Sequence, residues 1–308
     1  MWSMVYFFFY VFLSAETKTS GKIFYDYTRS LDNGSNAFNI KRGYLTFVNN
    51  TNEYLLYKLT YDIGLNEAGS AHTAFLKEAM VKYKTRLADV TIGMQVMNMY
   101  KTMENTWGHR FIEKGGMGTY RFSPSADLGV GLTRKFGLLS TSAMITNGGG
   151  FKKAEEDVHK KLSLHAVYGQ TRLNEKDGFN FGTSLSLEPY DVDGSKTENI
   201  NVMGVFGGYA GFGLRVGLEI DTKKDGDQAG KITSAYGTYE ISDKTSVLGR
   251  LDQIDLNTSD PGGASQEIIV GLHYSLGQGM IIAPTIRTSK PENGESDNTF
   301  VLNFEFKF

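Results

Sequence analysis

Phe300-Val301-Leu302-Asn303-Phe304-Glu305-Phe306-Lys307-Phe308 closes the chain, and its alternation admits one extended geometry. Successive side chains of a strand point to opposite faces. Phe300, Leu302, Phe304, Phe306 and Phe308 therefore form one apolar face, with Asn303, Glu305 and Lys307 on the other. The same period recurs from Lys22 onward, over 22–29, 38–48, 53–63, 73–84, 89–97, 126–134, 138–146 and 159–172, then 178–188, 199–206, 209–221, 230–241, 245–256, 265–275, 279–287 and 297–308. Stretches of about ten alternating residues are the signature of transmembrane β-strands, and bacterial single-chain barrels have an even number of them.

The connections carry as much information as the strands. Odd-numbered ones run from 8 to 28 residues and even-numbered ones from 2 to 5. A soluble Greek-key sandwich has no reason to alternate loop lengths in this way, whereas an outer-membrane barrel has short periplasmic turns and longer external loops. Pro124, Pro189, Pro261 and Pro291 fall in the long connections. Pro284 falls within a strand, where its missing N–H predicts a bulge or break in the ladder. The reading is an all-β, antiparallel transmembrane barrel of about 16 strands in a single domain.

Composition narrows the alternatives. The chain has 308 residues, with 21% charged, 13% aromatic and no Cys. Only Met4 to Leu13 is continuously apolar, whereas each span of a helical membrane protein needs ~20 apolar residues. That short run has the length of a signal-peptide core, so residues 1–15 are expected to be an export signal and 16–308 the barrel; an aromatic first strand over Val5 to Leu13 is the alternative. The lack of Cys excludes disulfides and thiolate metal sites, and a net charge of −2 gives no support for nucleic-acid binding.

Ala37-Phe38-Asn39-Ile40-Lys41-Arg42-Gly43-Tyr44-Leu45-Thr46-Phe47, followed by Tyr57-Lys58-Leu59-Thr60-Tyr61-Asp62, resembles the phosphate-selective porin O/P family. The resemblance continues in order through 76–83, 91–95, 111–113, 128–132 and 146–148, covering roughly the first half of the chain. It implies a sixteen-stranded barrel, usually trimeric, whose third external loop folds inward to narrow the pore. The third long connection, 98–125, stands out independently by its length. The chain departs from the family's Gly-Gln-Phe-Lys-like run at Gly93-Met94-Gln95-Val96-Met97-Asn98-Met99-Tyr100, and no phosphate-binding lysines can be carried across.

In a water-filled barrel, charges at the narrowest point set selectivity. The long connection offers Lys101, Arg110, Lys114 and Arg121 against Glu104 and Glu113, a balance of +2, with His109 as a further, neutral-to-basic group. Alternation puts Arg42, Lys58, Lys82, Lys84, Arg215, Arg250 and Arg287 on the lumen face, together with Asp62, Glu78, Glu219, Asp252 and Glu305. This set reads either as a mild anion preference or as salt bridges that keep the lumen wet and the loop fixed. His72, His109, His159, His165 and His273 lack metal-ligand spacing, and no Gly-x-Ser-x-Gly elbow is present. No catalytic residue, metal or cofactor is therefore expected.

The function expected is passive diffusion of small hydrophilic solutes or anions across the bacterial outer membrane. The alternatives are a non-conducting anchor or binding barrel and, further off, a barrel esterase or phospholipase using a strand histidine. Expected partners are outer-membrane lipid, further copies of the chain in a trimer, and the barrel assembly machinery, which would read Phe304, Phe306 and Phe308 as an assembly signal.

Overall fold

The computed structural model describes residues 17–66, 68–155, 158–192, 196–260 and 262–308. The expected export signal lies outside the described residues. Sixteen strands follow one another: β1 Thr17–Ser30, β2 Asn36–Asn50, β3 Leu55–Leu65, β4 His72–Lys84, β5 Asp89–Val96, β6 Ala126–Phe136, β7 Leu139–Thr146 and β8 Lys161–Gly169. The second half consists of β9 Gly178–Val192, β10 Lys196–Gly211, β11 Leu214–Asp225, β12 Gln228–Ser242, β13 Thr245–Asp255, β14 Ser265–Gly277, β15 Met280–Pro291 and β16 Asp297–Lys307. Each strand pairs antiparallel with its sequence neighbours, and β1 pairs with β16 to close the barrel. Two short helices, α1 Lys101–Trp107 and α2 Gly116–Thr119, lie in the connection between β5 and β6.

Closure satisfies the strand edges, and the alternation sorts the side chains. Leu128, Val130 and Leu132 of β6, and Leu214, Val216, Leu218 and Ile220 of β11, are exposed on the outside, as a lipid-facing belt requires. Toward the short turns that face ends in aromatics, among them Tyr57, Tyr83, Phe136, Tyr168, Phe179, Tyr209, Tyr239 and Tyr274, matching the girdle that amphipathic rings form at a membrane interface. Phe300, Leu302, Phe304 and Phe306 share the outward face of β16, while Asn303 and Glu305 are buried on the inside. Phe308 continues the seam beyond β16, with its carbonyl accepting the Gly21 N–H at 2.8 Å.

Several connections differ from the sequence reading. β9–β12 run past the expected ends, so the β11–β12 link is only 226–227, a tight hairpin with Gly226 at φ +56°, where glycine costs nothing sterically. On the opposite rim, the β8–β9 link spans 170–177 because β8 stops at Gly169 rather than near 172. Pro189 and Pro291 lie within β9 and β15, opposite Asn199 and Ser265. The strands flanking their other sides have already stopped pairing, at Leu162↔Leu187 and Ser289↔Asp297, so no ladder donor is missed there. Pro284 breaks the ladder as expected. Pairing of β14 with β15 skips from Gly271↔Thr285 to Tyr274↔Ile282, without a change of register at that point.

Candidate functional site

The β5–β6 connection folds into the barrel and packs against the wall from β7 round to β15 and on to β1. α1 ends at Gly108, whose φ of 76° allows its N–H to close on the Glu104 carbonyl at 2.9 Å. The underside is apolar: Met97, Met99, Met103, Trp107, Phe111, Ile112 and Met117 are each at most 2% exposed. They pack in two clusters, one against Met144, Val167, Val202, Phe206 and Ile232, the other against Phe24, Tyr236, Leu248, Ile269 and Ala283. Each side chain so buried contributes about 1.5–3 kcal/mol, so the loop has its own core against the wall. Two glycines make the seat. Gly208 and Gly217 face each other across β10 and β11, and a Cβ on either would come within 2.6 Å or 2.9 Å of the Thr106 Cγ2.

Polar contacts fix the register of this packing. Tyr236 Oη donates to the Met103 carbonyl at 3.1 Å, Asn180 Nδ2 to Thr106 Oγ1 at 3.2 Å, and the Gly116 N–H to Glu219 Oε1 at 2.9 Å. Tyr120 Oη donates to Asp252 at 3.1 Å, and Lys41 Nζ to the Ile112 carbonyl at 2.8 Å. His165, a strand histidine, lies 3.0 Å from Thr102 Oγ1 and 2.9 Å from Ser184 Oγ, while Ser184 donates to the Met99 carbonyl. The pair clamps the loop to β8 and β9.

The charged residues divide accordingly. Lys101 and Arg110 share the Glu104 carboxylate at 2.6 and 2.9 Å and, with it, border a cavity of about 330 Å³ on the loop's open side. Opposite them the wall contributes Lys22, Tyr44, Lys58, Lys77 and Glu78. Lys58 pairs with Glu78 at 2.7 Å, and Arg42 and Lys77 share Asp62 at 3.4 and 2.9 Å. Arg172 and Glu175, from the β8–β9 link, also border the cavity. Glu113 pairs with Arg287 at 2.7 Å; burial opposes its ionisation, but Arg287 and Lys41 outweigh that and hold it at about 2. Lys114 forms no salt bridge among the described residues, and burial, with Arg110 and Arg42 nearby, lowers it to about 8.

Three placements depart from the sequence reading. His109 is buried between Trp107, Phe111 and His273 and bonded to Thr238 Oγ1 at 3.0 Å, so it does not face the opening. Burial, then Arg215 and His273, push its imidazole well below the usual range and keep it neutral. Arg215 and Arg250 are on the inward face but under the loop. Arg250, 3% exposed, chelates Asp252 at 2.8 Å and lies 5.6 Å from the Trp107 ring, while Arg215 donates to the Trp107 carbonyl at 3.3 Å. Arg121 is exposed with φ of 60° and is not among the residues around the cavity. Lys82 and Lys84 face inward near the short-turn rim, opposite Thr91 and Asp89.

Lys41 and Lys77 are the residues that alternation alone misses. Each is skipped by the pairing, between Phe24/Tyr25 and Thr60/Tyr61 respectively, so each is the extra residue of a β-bulge. A bulge re-aims one side chain. The available signal was a doubled polar residue, Lys41-Arg42 and Lys77-Glu78, in strands that otherwise alternate.

No protein-family profile matches this chain, and no curated protein matches it. Solved structures do. An anion-selective porin from Comamonas acidovorans superposes with a TM-score of 0.73 at 11% identity, over 96% of this chain and 100% of that one. Salmonella typhi OmpF, solved with daunomycin, gives 0.72 at 11% identity over 96% and 98%. The in-vitro folded trimer form of OmpT, an outer membrane protein of Vibrio cholerae, gives 0.65 at 12% identity over 96% and 99%. The fold is that of the sixteen-stranded porins.

Proposed function

We propose that this protein is a bacterial outer-membrane porin, a passive diffusion channel for small hydrophilic solutes with a mild preference for anions. The carrying observation is a two-to-one pairing of cations on carboxylates on the inward wall and on the loop: Arg42 and Lys77 share Asp62, and Lys101 and Arg110 share Glu104, with Lys77, Lys101, Glu104 and Arg110 bordering the cavity. One positive charge is left over on each side of the opening, and the low-dielectric wall focuses its field on passing ions. The similarity to an anion-selective porin supports this reading, and the first-half resemblance to the phosphate-selective porins supports including phosphate-like anions among the solutes. A non-conducting anchor has no use for a lumen loop whose open side is lined with charge.

The test is the zero-current potential of purified protein in a planar bilayer under a salt gradient. Lys114 adds a pH signature. Its ammonium, held at about 8 by burial and by Arg110 and Arg42, is charged at pH 7 and neutral at pH 9. The anion-to-cation permeability ratio should therefore fall over that interval, by about half for one focused charge, and Lys114→Gln should flatten the profile. An equal ratio at both pH values rejects Lys114 as part of the opening; absence of conductance rejects the channel.

Assembly belongs to the same proposal. The aromatic end Phe304, Phe306 and Phe308 serves as the signal for outer-membrane insertion, and the barrel associates as a trimer, as the Vibrio cholerae protein does in its trimer form. Deleting Phe308 removes the seam contact to Gly21 and should lower the yield of heat-modifiable barrel in the membrane fraction several-fold. Unboiled gels read this yield and the oligomer together, and full yield would remove the signal role.

A further inference from the structure

On the outer face of β12–β15 the apolar belt stops within one register step. Ala235, Leu251 and Ile268 lie side by side across three strands, and the next outward-facing row is Thr233, Gln253, Gln266 and Lys290. Lys231 follows one step further out, opposite Asp255. This row lies at the end of the barrel that carries the long connections, away from the chain's C-terminus, where an outer leaflet's headgroups begin. Four adjacent strands set ~4.8 Å apart give a ledge of roughly 14 Å.

A cavity of about 510 Å³ opens over the ledge beneath the β13–β14 connection. That connection is tied down by Thr258 N–H on the Ala229 carbonyl and Glu292 N–H on the Ala264 carbonyl, both at 2.7 Å. The carboxylates at its border are engaged by backbone: Asp255 accepts from the Asn257 N–H at 3.1 Å and Glu292 from the Ala264 N–H at 3.4 Å. The Lys231 and Lys290 ammoniums form no salt bridge among the described residues. The lining thus carries two lysines outside any salt bridge among the described residues, two carboxamides and two carboxylates held by backbone N–H groups, on a surface that faces away from the lumen, with an apolar strip directly below.

We infer that this ledge binds the phosphate-bearing headgroup of an anionic outer-leaflet lipid. Lys231 and Lys290 take the phosphate charge, Gln253 and Gln266 bond the neighbouring ester or hydroxyl oxygens, and the acyl chains lie over Leu251 and Ile268. A solute anion in water would use the cations but not the apolar strip; an amphiphile uses both. Each lysine near an anionic headgroup contributes enough that losing two should cost about tenfold or more in occupancy. The inference depends on the membrane-spanning barrel and not on its conduction.

Native mass spectrometry of the folded full chain in neutral detergent, with phosphatidylglycerol or phosphatidylcholine added at equal concentration, tests the site. The parent should retain phosphatidylglycerol preferentially. K231Q/K290Q should lose it about tenfold, K231R/K290R should keep it, and K244Q, in the turn at the opposite rim, should behave as the parent. Unboiled-gel mobility verifies that each variant is folded, and the arginine pair carries the test if the glutamine pair does not fold. Equal retention of the two lipids, unchanged binding in K231Q/K290Q, loss in K231R/K290R, or displacement of the lipid by inorganic phosphate alone would each overturn the assignment.

Discussion

Reversing Lys101, Arg110 and Lys114 to glutamate together should convert the channel to cation preference, with the largest swing in zero-current potential at low salt. Lys101 and Arg110 both close on Glu104, at 2.6 and 2.9 Å, and that site now carries a net positive charge. After reversal, Glu104 and the new carboxylates at 101 and 110 would stand there without a cation from the loop, facing Lys22, Lys58 and Lys77 across the cavity, while the buried charge at 114, next to Arg110 and outside the cavity's lining, would be reversed as well. The effect should shrink as the screening length falls from ~10 Å at 0.1 M to ~3 Å at 1 M salt. Arg121→Glu is the control, because Arg121 is exposed and outside the cavity. It should leave the potential unchanged, although on loop charge alone it ranks with the other three. A triple variant with the parent's potential would mean that ions do not pass along this side of the loop.

What could be read in the sequence was whatever a period of two encodes. Each expected strand has its counterpart, because residues of the outward belt must be apolar whether or not their neighbours are known, and among the charges that parity assigns to the lumen Arg42, Lys58 and Arg287 pair with Asp62, Glu78 and Glu113. What could not be read depends on interruptions of that period or on contacts between distant segments. The bulges at Lys41 and Lys77 bring two more cations inward by adding one residue each. Arg215, Arg250 and His109 have the right parity or position, but the apolar underside of the loop covers them, and that face shows in the sequence only as an unexplained run of Met97, Met99, Met103 and Met117. Met packs adaptably into irregular gaps, so such a run, in a segment too polar to be a strand, is consistent with a loop that has a wall to lie against.

Gly208→Leu should dislodge that loop. Gly208 and Gly217 form a notch in the β10–β11 wall that admits Thr106, and a side chain at 208 would meet Thr106 Cγ2 at 2.6 Å, Leu173 Cδ1 at 3.0 Å and the Val216 carbonyl at 3.0 Å. The strand cannot retreat without breaking its ladder, so α1 must lift. Overpacking of this kind costs ~1–3 kcal/mol, and lifting α1 also strains the Asn180–Thr106 and Tyr236–Met103 hydrogen bonds. Because sixteen strands enclose an aqueous lumen once the loop leaves the wall, single-channel conductance should rise on the order of twofold and become noisy. Externally added trypsin should then cleave after Lys101, Arg110 or Lys114, which the seated loop protects. Gly207→Leu adds the same volume to the lipid side of β10, where the nearest atoms are at 3.5 Å and beyond, and should leave conductance and cleavage as in the parent. If Gly208→Leu conducts and resists trypsin as the parent does, the notch is not what holds the loop, and its seat rests on the methionine packing alone.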